Sequence, residues 1–136
     1  MGQERLLEPI RRGMNFYLLA QQGNPQGGWA QQYDMKLEPA HGRSYEPAAL
    51  LPGTTSRVIQ LLMRFYRYTG DRRYLARIPD ALQWLESTRL PKDGTEGGRY
   101  THPVFVEPGT NKALYAHRKG TGVNHGRYRV DYNDEN

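Results

Sequence analysis

A chain of 136 residues has room for one small domain with a modest core. Only 37% of it is hydrophobic and its mean hydropathy is −0.86, although ten Tyr, three Phe and two Trp add burial area that can also stack on ligands. The absence of cysteine excludes disulfides and a thiolate metal site, and a net charge of +5 suggests an acidic partner: nucleic acid, an anionic membrane or a polyanionic sugar.

No apolar run approaches membrane-spanning length. The opening "MGQERLLEPI" has no signal-peptide core, so a secreted form would have lost its leader. Residues 4–21 read as a helix, with Leu6, Ile10, Met14 and Leu18 repeating every four positions and Leu7 and Tyr17 on the flanks. Pro9 fits best in a first turn, which puts the expected start near residue 8. Residues 22–53 carry Gly, Pro and Asn with hardly any apolar periodicity, the mark of a long, functional loop. Residues 55–69 give the clearest helix, on Val58, Leu61, Leu62 and Phe65, with Thr54 or Thr55 as cap and Gly70 at the end. Asp71 can cap the next segment, which Pro79 either kinks or reopens as a second helix running to about Thr88. Tyr74, Ile78, Leu82 and Leu85 face one way there, with Trp84 beside them. From Pro91 the pattern stops. "PVFV" and "ALYA" around the turn "PGTNK" predict a short hairpin, and the polar tail "YNDEN" is expected to fray. No repeat or linker divides the chain, so residues 1–136 read as a single domain.

The four histidines, His41, His102, His117 and His125, lack the spacing of a helical zinc motif and read as exposed loop residues. No GxSxG, phosphate loop or dinucleotide fingerprint is present. "GRYRVDYN" hints at RNA contact without completing an RNA-binding motif, and a solvated basic surface is the more ordinary reading of the charge. "QGGWAQQYD" is more specific. It brings Trp29, Gln31, Gln32, Tyr33 and Asp34 together, and a sugar ring needs flat aromatic faces beside hydrogen-bonding amides and carboxylates. The competing reading makes Trp29 and Tyr33 core plugs beneath the loop. Further on, Lys112, Arg118 and Lys119 surround Tyr115, a combination suited to an acidic saccharide. In "LEPAHGRSYEPAAL", Pro39 and Pro47 bracket Arg43, with Gly42 beside it: a stiffened loop able to hold a charged head group for chemistry.

In order, "GGWAQQYD", "LEPAHGRSYEPAAL", "VIQLLMRFYRYTGDRRYLARIPDALQWLE" and "EPGTNKALYAHRKG" resemble the C-terminal part of the family 10 polysaccharide lyases, pectate lyases with an (α/α) toroid fold. The resemblance covers about residues 10–125, and "GRSYEP" is its most specific element. It implies a mainly α, partial toroid-like domain, and a β-elimination on α-1,4-linked galacturonate. Arg43 would be the Brønsted base and Ca2+ would act at the uronate carboxylate, with Asp34 the candidate ligand. Trp29, Gln32, Tyr33, Lys112, Tyr115, Arg118 and Lys119 would line the substrate groove. It further implies activity at alkaline pH and a secreted or periplasmic setting, with an acidic polysaccharide rather than nucleic acid or membrane as partner. A noncatalytic module binding acidic polysaccharide is the alternative.

The family's catalytic domain is about twice as long, and its upstream carboxylates have no counterpart here. Three helices cannot close a toroid. In the 55–69 helix, Val58, Ile59, Leu61, Leu62, Met63, Phe65 and Tyr66 cover more than half the circumference. Either the chain is a truncated, inactive piece, or copies associate to cover these faces and complete the groove; a homo-oligomer, with a trimer favoured, is the expectation.

Overall fold

Amphipathic periodicity gives the first helix, α1 (Glu4–Ala20), but its outcome is uneven along its length. In this computed structural model, which describes residues 4–23, 25–91, 101–120 and 127–133, residues 4–13 of α1 are exposed throughout. Only its second half packs, through Met14 and Ala20, with Tyr17 and Leu18 half-buried against the core. Pro9 lies inside the helix rather than at its start. This stretch is exposed, so water is at hand for the carbonyl to which Pro9 cannot donate.

α2 (Pro52–Thr69) starts three residues earlier than its periodicity suggested, because Pro52 supplies a preset φ in the first turn. Leu51 is the N-cap and offers no side-chain bond. Neither threonine acts as the cap: the fully buried Thr55 instead accepts a hydrogen bond from the Trp29 N–H at 3.0 Å. Gly70 ends the helix in the left-handed region, at φ 69°, as expected. Asp71 Oδ1 then accepts from the Arg73 N–H, opening the short α3 (Arg73–Ala76). Of the two roles open to Pro79, the structure shows the second, with α4 (Ile78–Ser87) starting around it. Val58, Ile59 and Leu62 of α2, Tyr74 of α3 and Ala81 of α4 close over Trp29 to form the main core.

The expected hairpin is present. β1 (Phe105–Val106) pairs antiparallel with β2 (Ala113–Lys119) in the register Phe105 to Leu114. A third strand, β3 (Arg127–Asp131), extends the sheet in the order β1-β2-β3. It was not expected, because "RYRVD" buries little and so shows no apolar alternation. Among the described residues the architecture is therefore helices with a three-stranded antiparallel sheet. None of these helices is long and apolar enough to cross a membrane.

The 22–53 segment carries more order than a plain loop. Antiparallel bridges join Ala30 to Leu50 and Leu50 to Val106, with Leu50 and Val106 exchanging hydrogen bonds of 2.9 and 2.8 Å. Ala30, Leu50, Val106 and Trp84 form a second core cluster, which ties the segment to β1 and α4. The glycine pair at its base exists for close approach. A Cβ on Gly27 would strike the α4 backbone at Asp80 and Ala81, and one on Gly28 would strike the Trp84 ring. The Trp84 indole N–H donates to Asn111 Oδ1 (2.9 Å), and the Gln26 amide bonds the same oxygen (2.7 Å). The 107–112 turn is thereby fixed to the same support.

Candidate active site

Arg43 sits on a tight turn built by its own backbone. The Glu46 N–H donates to the Arg43 carbonyl (2.8 Å) and the Gly42 N–H to the Glu46 carbonyl (3.0 Å). The Glu46 side chain then folds back. Its Oε2 accepts from the Arg43 backbone N–H (2.9 Å) and from Nε (3.2 Å), while Oε1 accepts from Nη2 at 2.7 Å. This two-point grip fixes the plane of the guanidinium as well as its position. The pair is lopsided in exposure: 65% for the arginine side chain and 9% for the glutamate. Gln31 Nε2 donates to Glu46 Oε1 at 3.2 Å, so the carboxylate is held from behind as well. A Cβ on Gly42 would meet the Gln32 amide and the Glu46 carboxylate, so a larger residue there would displace the side chains that form this grip.

The electrostatic result is mutual. The hydrogen bonds from the Arg43 side chain and backbone bring the Glu46 pKa down to about 2. Glu46 in turn raises the Arg43 pKa above its ordinary value, first through the hydrogen bond and then through its charge. In this arrangement Arg43 is firmly a cation.

Two aromatic rings extend the site. The Arg43 guanidinium lies 4.9 Å from the Tyr45 ring centroid, and Tyr45 packs on Tyr128 with centroids 5.2 Å apart. Tyr128 is the cross-strand partner of Arg118, so the two share a face of the sheet. Arg43 and Arg118, far apart in sequence, are thus linked through two tyrosines. Sequence reasoning missed Tyr45, Glu46 and Tyr128. "RSYE" shows an arginine and a glutamate three apart, which is a legible signal for an ion pair; nothing in the sequence announces Tyr128.

The other expected groove residues divide. Trp29 is 1% exposed, with its indole N–H donating to the Tyr17 carbonyl (2.8 Å). It is a core side chain and offers no stacking face, which corrects its assignment to the groove. Tyr33 is half-buried: it packs against both core clusters, in keeping with the competing reading, and also lines a cleft of about 580 Å³ between α1, α2 and the loop. Its hydroxyl accepts from the Ala30 N–H (2.7 Å), its ring meets Phe16 edge-on at 5.7 Å, and burial lifts its pKa to about 12. Gln32 and Asp34 line the same cleft. Asp34 Oδ1 braces the turn below it, accepting from the N–H groups of Lys36 (2.8 Å) and Glu38 (3.0 Å).

Lys112, Tyr115, Arg118 and Lys119 do not form one cluster. Strand alternation in β2 sets Tyr115 and Lys119 on the face opposite Arg118. Lys112, at the turn, places its ammonium 5.2 Å from the Tyr132 ring centroid. The histidines are more engaged than expected. His102 Nε2 lies 2.9 Å from the Leu85 carbonyl, and His117, in β2, lies 3.0 Å from Asp131. His41 is exposed, and His125 falls outside the described residues. Of the expected fraying tail, Tyr132 is tied, donating from its hydroxyl to Glu107 (2.5 Å), and residues 134–136 lie outside the description.

An arginine gripped by a buried carboxylate, beside a cleft lined by aromatic and amide groups, is chemistry suited to an anionic, hydroxylated ligand. A family model described as pectic acid lyase matches residues 2–131, and the chain belongs to that family. Neither the curated proteins nor the solved structures compared with it gave a match.

Proposed function

We propose that this chain is a pectate lyase of the family 10 type, corresponding to the C-terminal part of that family's catalytic domain, and that it cleaves α-1,4-linked galacturonate by β-elimination at Arg43. The observation that carries the reading is the Arg43 turn: a cation held at two points by Glu46, exposed on one side, within a chain of the pectic acid lyase family. In the reaction the C5 proton passes to the arginine. The C–H electron pair becomes the C4–C5 double bond, and the C4–O pair leaves with the glycosidic oxygen, which takes a proton from solvent. Glu46 opposes the first step, since it stabilises the charged arginine. The base form therefore has to be reached at alkaline pH.

The same opposition favours a second reading, in which Arg43 only grips a uronate carboxylate and the protein is a binding module. Polygalacturonate separates the two. Growth over time of the ultraviolet band of a C4–C5 unsaturated uronate supports the lyase, whereas saturable binding without that band supports the module.

Calcium takes about six to eight oxygen ligands. Among the described residues no three acidic or histidine side chains gather as ligands, and Asp34 has one oxygen committed to its turn. These residues do not fit a resident calcium cage, and no step above runs through the metal. We propose calcium as a requirement of the substrate complex, with Asp34 at most one of its ligands. Full turnover in excess chelator would contradict that requirement.

A further inference from the structure

Two clefts flank the start of α2, and they share a wall. The first, of about 580 Å³, runs past Phe16, Tyr33 and Asp34. The second, of about 640 Å³, runs past Leu85 and the segment Thr101–Val104. Gln31, Thr54 and Arg57 line both. Gln31 also donates to Glu46, the residue that grips Arg43, so this shared wall lies one hydrogen bond away from the Arg43 turn.

We propose that the two clefts form one groove for a chain of acidic sugars, and that Arg57 is a specificity-determining residue that binds a second uronate carboxylate along it. The inference rests on the lyase reading above and adds a residue that neither the sequence pattern nor the family match assigns. Three observations point the same way. Arg57 is exposed and has no ion pair among the described residues, unlike Arg43, Arg73 and Arg77, each of which holds a carboxylate. Its charge is thus available to a ligand. Among the described residues the only acidic side chain lining either cleft is Asp34, while Arg57 stands in the wall common to both, so the described groove has a cationic middle. Among an otherwise largely apolar lining, the hydroxyls of Thr54, Ser56 and Thr101, the Gln31 amide, and the Tyr33 and Phe16 rings offer a sugar chain hydrogen bonds and stacking faces. His102 does not compete for an anion, because both ring nitrogens already have partners, Thr101 Oγ1 and the Leu85 carbonyl.

The experiment is calorimetric titration of tetragalacturonate and of its neutral methyl ester into the intact chain, at mildly acidic pH where elimination is suppressed. Parent, Arg57→Gln and Arg57→Lys proteins are compared, with the ultraviolet turnover assay run alongside at alkaline pH. Arg57→Gln is expected to weaken binding of the acid roughly tenfold, the loss of one charge-assisted contact, and to flatten its salt dependence. The ester should change by less than about twofold, and Arg57→Lys should recover part of the loss. Equal affinity of parent and Arg57→Gln for the acid, in a protein that still turns over polygalacturonate, overturns the groove and leaves the lyase reading intact. A parent protein that neither binds the acid nor turns it over overturns both.

Discussion

Glu46 decides what Arg43 can be. Its carboxylate is nearly buried and lies on the inner side of the turn, so the arginine is presented to solvent in one orientation. A base role for Arg43 makes a signed prediction. Glu46 raises the Arg43 pKa, so replacing it with a neutral isostere lowers that pKa. In Glu46→Gln the rising limb of the pH–rate profile should move to lower pH, read from initial rates across the alkaline range. A limb that stays in place means that Arg43 acts as a fixed cation. The same variant tests the linkage to folding. The Glu46 pKa is depressed, from 4.5 to about 2, so its contribution to stability is present above the upper value and is lost as pH falls toward the lower one. Acid unfolding of Glu46→Gln should therefore depend less steeply on pH across that window. Arg43 was legible in the sequence because two prolines and a glycine frame it. The burial of Glu46 was not, since it arises from Gln31 and Gln32 reaching over from an earlier part of the loop.

The antiparallel pair β2 and β3 packs against the Arg43 turn, through Tyr128 on Tyr45. Tyr128→Ala should weaken substrate binding more than it lowers turnover at saturation, because Tyr128 packs on Tyr45 of the turn and pairs across from Arg118, rather than gripping the Arg43 guanidinium itself. A KM-against-kcat comparison with a matched thermal melt checks this. At the base of the loop, Gly27→Ala has no small adjustment open to it, since the new methyl meets the α4 backbone rather than a mobile side-chain tip. It should cost about 1–3 kcal/mol in denaturant unfolding, the usual range for overpacking. The helices were read from their periodicity, with errors at their starts. Pro9 and Pro52 were the reasons: one is tolerated inside an exposed helix and the other opens a helix earlier than its apolar pattern does. β3 was illegible because its strand character comes from pairing with β2 and not from an apolar face of its own.

At the scale of the molecule, the apolar surface in need of cover lies elsewhere than the sequence suggested. α2 buries Val58, Ile59 and Leu62 and half-buries Leu61, Phe65 and Tyr66, leaving Met63 as its exposed large side chain on that arc. The exposed stripe is on α1, where Leu6, Leu7 and Ile10 are each more than half exposed. Glu8 and Arg12 pair within that helix, at 3.0 Å, so its charge is largely balanced and the apolar stripe is what association would bury. We therefore propose self-association through α1, and expect light scattering with gel filtration to give a mass above 15.7 kDa that Ile10→Glu returns to it. A parent chain that elutes at the monomer mass contradicts the proposal.

Elimination at Arg43 can be followed in a single assay. Polygalacturonate with calcium at alkaline pH is followed at the ultraviolet band of the unsaturated uronate, with parent and Arg43→Lys proteins of equal thermal stability. Lysine keeps the charge but neither the planar fork nor the geometry of its contact with Glu46. The account predicts steady growth of the band for the parent and a rate at least about a hundredfold lower for Arg43→Lys, the scale of lost general-base chemistry. An Arg43→Lys rate within about tenfold of the parent would contradict it, because a base worth only that much is not the base of the reaction.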